Sequence, residues 1–169
     1  MVARLAGRFA GSRPLLLAAW LSVLFSTLLA TWAAGVVAPM IPARAKVLMV
    51  VLALVFAAGE IAWRRRPERA LPAPLQEPTR SFSATFIVLA MGQIADAPRF
   101  LVFALAMATG APELAALGGV LAGGVALTLA WAFGESALAR PLITRLQWVA
   151  ASVFLLAAII TGLSEYGLL

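Results

Sequence analysis

The chain has no cysteine, no histidine, a single tyrosine and only seven acidic residues among 169. Without cysteine there is no disulfide and no thiolate ligand. Without histidine there is no imidazole ligand, no histidine-ligated haem and no catalytic triad that depends on histidine. A phosphate-binding glycine loop ahead of a helix is also absent, as is a pair of carboxylates at catalytic spacing. These absences argue against an enzyme, and no resident cofactor is expected. One kind of metal chemistry is left, a hard ion such as calcium, magnesium or manganese held through oxygen.

What the chain has in excess is apolar surface. Hydrophobic residues make up 63% of it and its mean hydropathy is +1.01, against roughly 45–50% apolar residues in a soluble domain. The surplus lies in five runs, residues 14–40, 45–63, 82–108, 114–138 and 142–163. Each reaches the roughly 18 residues that mark a spanning segment. Period-two alternation is absent, so the runs are expected to be helices, which satisfy their own backbone hydrogen bonds in lipid. The expected fold is an all-α, polytopic membrane protein with about five transmembrane helices and essentially no soluble domain. The first run is longer than the roughly 7–15 apolar residues of a secretory signal, which favours its retention as a span.

The formal charge of +6 is read as topology, not as nucleic-acid binding. Arg4, Arg8 and Arg13 precede the first run, five arginines (64, 65, 66, 69 and 80) sit between the second and third, and Arg140 and Arg145 lie between the fourth and fifth. The alternate side carries Arg44, Lys46, Glu113 and Glu165. This bias predicts a cytoplasmic N-terminus, in a multi-pass protein of a bacterial inner membrane.

Displacing the chain against itself by 99 residues aligns Trp32-Ala33 with Trp131-Ala132, Gly35 with Gly134, Ala38 with Ala137 and Pro42 with Pro141. The shared register covers the end of one span and the turn that follows it. Two repeats are therefore expected: residues 1–66 with two spans, a charged Pro-rich cytoplasmic loop at 67–81, and residues 82–169 with three spans. A repeat with an odd number of spans is inverted relative to its mate, as in many secondary transporters. The first repeat lacks its first helix under this register. Two explanations fit: a start codon further upstream, or a helix that has been lost.

Asp96 is the one carboxylate deep inside an apolar run. An acid at the bilayer centre costs roughly 2.5–3.5 kcal/mol on insertion scales, and such residues mark ion or proton paths. Gln93 is three residues away and shares its helix face, adding an amide carbonyl for a hard cation. Pro98 has no N–H for the carbonyl of Ile94, so a broken helix is expected beside the acid. Arg99 opposes this, because an Asp96–Arg99 pair is nearly neutral, and the alternative reading is a buried structural pair. Glu135 follows the repeated glycine and is the expected second acid. Glu60 reads as a surface partner of Arg64. Gly118, Gly119, Gly123 and Gly124 read as close helix packing, and the five tryptophans as span ends or packing.

The run from Met91 to Arg99, with the repeat around it, resembles the Golgi-type Mn2+/Ca2+:proton exchangers (the Gdt-type family) in their small bacterial branch. In that family two inverted repeats each open with a helix carrying E-x-G-D-[KR]-[TS]. Placed on this chain, the motif puts its glutamate at Gln93, its glycine at Ala95 and its aspartate at Asp96. Its basic residue falls on Ala97, its Ser/Thr on Pro98, and the glutamine that often follows on Arg99. The resemblance implies a secondary transporter that exchanges a divalent cation, manganese or calcium, for protons, with Asp96 and Gln93 at motif positions; together with Glu135, the expected second acid, they are the candidate cation ligands. This chain keeps one of the family's four motif acids. The alternative is therefore a non-transporting membrane partner or regulator of the same fold, working as a homo-oligomer or with a related six-span protein.

Overall fold

The computed structural model describes residues 13–63, 82–94, 96–138 and 141–167; the 67–81 loop lies outside them. The described residues form helices and turns and no strand. Helix α1 (Arg13–Val37) ends in a 3-10 turn (Ala38–Met40), and α2 (Ala43–Trp63) follows it. After the loop come α3 (Phe82–Ile94), α4 (Ala97–Thr109), α5 (Pro112–Leu138) and α6 (Pro141–Glu165).

Proline and glycine set nearly all of these boundaries. Pro39 and Pro42 stop α1, and the first turn of α2 closes on the carbonyl of Pro42, which accepts from Ala45 N at 3.0 Å and Lys46 N at 3.2 Å. Gly110 takes the left-handed conformation (φ 65°) that ends α4, a backbone shape that costs a glycine little. Pro112 and Pro141 open α5 and α6 at the first helical position, where a missing N–H costs nothing.

Among the described residues, four helical stretches are long and apolar enough to cross a membrane: Leu16–Met40, Ala43–Ala62, Pro112–Leu129 and Arg145–Glu165. Residues 82–108, read from the sequence as one spanning run broken beside Asp96, are not a single long helix. They form two helices of 13 residues each, each about 20 Å long against a hydrocarbon core of roughly 30 Å. The cause is local. A continued helix would drive the Pro98 ring against the carbonyl of Ile94 and leave that carbonyl without a donor. So α3 stops at Ile94, Asp96 is extended (φ −77°, ψ 144°), and Pro98 sits in the first turn of a new helix.

Helix α1 is the centre of the bundle, packing on α3, α4 and α5, while α2 packs on α4 and α6. The inner face of α1 is made of small and hydroxyl residues at helical spacing: Ala18, Ala19, Ser22, Val23, Ser26 and Thr27, all at most 2% exposed. Short side chains let neighbouring backbones approach, which is how helices associate where lipid removes the hydrophobic driving force. The matching face of α5 is glycine. A Cβ on Gly119 would come within 2.7 Å of Val102, and one on Gly124 would run into the Trp20 ring. That ring donates to Thr128 Oγ1 at 3.2 Å, tying α1 to α5. A second cluster, Val50, Ala53, Leu54, Ala104 and Ala158, joins α2, α4 and α6. Large apolar residues such as Leu17, Phe25, Leu121 and Leu156 point outward, as expected of a surface solvated by lipid.

Candidate functional site

The break between α3 and α4 gathers the polar groups of the bundle. Arg99, in the first turn of α4, is buried at 6% exposure. Its Nε donates to Ser26 Oγ at 2.8 Å and its Nη2 to Gln93 Oε1 at 3.1 Å. Gln93 Nε2 donates in turn to Ser22 Oγ at 2.8 Å, and Ser22 donates to the carbonyl of Ala19 at 2.8 Å. The direction of this chain follows from its members. A guanidinium only donates, so the carbonyl end of Gln93 must face it and the amide nitrogen must face Ser22. The Ser26 hydroxyl proton reaches either Val23 O at 3.2 Å or Gln93 Oε1 at 3.3 Å, one at a time.

Gly123 of α5 lies behind the guanidinium. A Cβ there would stand 3.2 Å from Arg99 Nη2 and 2.9 Å from Val23 Cγ1. The cation is thus enclosed by α1, α3 and α5, with two oxygen acceptors from Ser26 and Gln93. Such enclosure makes a buried charge tolerable; without its partners the same group would cost several kcal/mol.

Asp96 occupies the capping position of α4, but its side chain does not cap the helix. Its backbone carbonyl accepts from Arg99 N at 3.0 Å and Phe100 N at 3.3 Å. The free N–H of Ala97 is instead met from another helix. Glu60 of α2 accepts it through Oε2 at 3.1 Å. A carboxylate at a helix N-terminus also meets the positive end of the helix dipole, so α2 completes a cap that the local sequence does not supply.

An open cleft of about 1180 Å³ lies along this break. Ser26 and Ala33 of α1, Phe56 and Glu60 of α2, and Asp96 and Arg99 are among its walls. No family model matches the chain, and no curated protein or solved structure is similar to it. The arrangement therefore stands on its own chemistry.

The expected site residues are only partly brought together. Asp96 lines the cleft, half-buried. Gln93 is three residues away, and its carbonyl has two donors within reach. Glu135 is carried by the far end of α5, its side chain is outside the described residues, and no described residue of α5 lines the cleft. Among the described residues no three acidic side chains meet as a metal cluster. Glu60, read from the sequence as a surface partner of Arg64, lines the cleft and accepts from Ala97 N–H; Arg64 is outside the described residues. The signal was partial: Glu60 is the one acid of the 45–63 run, but it stands near the end of that run, where an acid costs less than at the midpoint.

Proposed function

We propose that this chain is a secondary transporter, with the cleft at the α3–α4 break as its substrate site and a cation exchanged for protons. The observation that carries the reading is the juxtaposition of two carboxylates, from Glu60 and Asp96, in one cleft where a helix breaks among membrane-length helices. Broken helices expose backbone groups and dipole ends to an ion without leaving them facing lipid. A carboxylate there holds a proton when the cation has left and releases it when the cation binds. The resemblance to the exchanger family implies a divalent cargo, manganese or calcium, which makes those ions the first to test.

Helix packing supports the two-repeat reading. The 99-residue register pairs α1 with α5 and α2 with α6, and each of these pairs is in contact. Helices that flank a pseudo-two-fold axis meet their own mates. In this reading α3 and α4 together make the fifth crossing, and the N-terminus is cytoplasmic.

The experiment is flux into proteoliposomes under an imposed pH gradient. Ion-dependent collapse of the gradient is expected from the native chain and not from Asp96→Asn or Glu60→Gln. Flux that survives both substitutions at the native rate removes the cleft from the mechanism. One observation favours the second reading, a non-transporting partner of the same fold: a buried arginine already fills the polar cage beside Asp96. Co-purification with a six-span relative, together with no flux by this chain alone, would establish that role.

A further inference from the structure

The charge balance of the cleft narrows what it can accept. Among its lining groups are two carboxylates, Glu60 and Asp96, and one guanidinium, Arg99. The guanidinium is held from two sides, by Ser26 Oγ at 2.8 Å and Gln93 Oε1 at 3.1 Å. It cannot retreat into α5, because Gly123 approaches so closely that even a Cβ there would be 3.2 Å from Nη2. A guanidinium also does not discharge itself by losing a proton in proteins. Arg99 is therefore a fixed positive charge in the wall.

Two consequences follow for an incoming ion. Hard divalent cations take about six or more oxygen ligands, yet Ser26 and Gln93 already direct their oxygens at Arg99. The charge argument points the same way. An ion's attraction to the carboxylates and its repulsion from Arg99 both grow in proportion to its charge, whereas the cost of taking it out of water grows with the square of the charge, so a fixed guanidinium in the wall weighs most against a divalent ion.

We propose that Arg99 is the charge-selecting residue of the cleft, excluding divalent ions and leaving the site to singly charged cations. This rests on the reading of the cleft as a cation site and departs from the divalent cargo that the family resemblance implies.

The test uses the full chain, purified in detergent, with Mn2+ binding followed by electron paramagnetic resonance. The native protein and Arg99→Lys, which keeps the charge, are expected to bind no stoichiometric Mn2+ at millimolar concentration. Arg99→Gln removes the charge and returns the oxygens of Ser26 and Gln93 to the cleft. It is expected to bind Mn2+ at least about tenfold more tightly than the native chain, and Asp96→Asn in the same protein should abolish the gain. Far-UV circular dichroism and a monodisperse elution profile establish that each variant is folded. Native protein that binds Mn2+ as well as Arg99→Gln does, or a folded Arg99→Gln that gains nothing, overturns the proposal. Parallel vesicles separate it from the transport reading. Sodium- or potassium-driven collapse of a pH gradient, without a response to Mn2+, supports both ideas. An Mn2+ response in the native chain removes the selection and keeps transport. If no ion is moved, transport fails while the Mn2+ binding series still decides the role of Arg99.

Discussion

At the scale of single residues, the site depends on a glycine that does no chemistry. Gly123 leaves room for the guanidinium of Arg99, and a Cβ at that position would also press on Val23 at 2.9 Å. Overpacking of this kind typically costs about 1–3 kcal/mol. Gly123→Val should therefore lower the melting temperature in detergent and disturb the Arg99 cage. Five residues earlier, Gly118 has nothing within 4 Å of its would-be Cβ, so Gly118→Ala should be neutral or stabilising by a few tenths of a kcal/mol or more, since glycine in a helix interior costs about 0.5–1 kcal/mol relative to alanine. Equal melting shifts for the two variants would mean that Gly123 is not the close contact described.

At the scale of elements, one proline turns what would be a single crossing into two half-length helices. It also creates the unsatisfied N–H that Glu60 meets. The two effects are coupled, and a double-mutant cycle can measure the coupling. In the native chain Glu60→Ala should cost about 0.5–2 kcal/mol, the usual loss for removing a helix cap. In a Pro98→Ala background α3 and α4 can run on as one helix, and Ala97 N–H then finds the carbonyl of Gln93 four residues back. Glu60→Ala should cost measurably less there, with the difference read from thermal melts. Strict additivity of the two substitutions would count against the cross-helix cap.

At the scale of the whole molecule, the fold sets an outer apolar surface against a cleft whose mainly apolar wall carries Glu60, Asp96 and Arg99. The absence of cysteine makes this easy to probe, because each single-cysteine variant has a clean background. In lipid vesicles, Gly59→Cys places a thiol on the cleft wall and should react with a water-soluble maleimide. Leu121→Cys, on the outer face at 60% exposure, should be nearly inert, since a thiol surrounded by hydrocarbon does not ionise. Comparable labelling rates at the two positions would contradict a lipid-facing α5.

The sequence by itself determined what depends on composition and on neighbours along the chain. Residue runs 14–40 and 45–63 became α1 and α2 nearly to the residue because length and hydropathy are local properties. Pro39, Pro42, Gly110, Pro112 and Pro141 placed the turns for the same reason. The helix break was legible in Pro98, although it falls at Ile94–Asp96, before the proline, since the steric conflict lies with the preceding turn. Only the tertiary structure decided the partners. Asp96 and Glu60 are far apart in the chain, and nothing local tells an acid near a span end whether it faces solvent or the N-terminus of another helix. Arg99 has Asp96 three residues away, the nearest opposite charge by sequence. Its guanidinium also donates to Ser26 on α1 and to Gln93 across the break. A guanidinium is long enough to choose among acceptors, and the packing of α1, α3 and α5 sets which acceptors are within reach.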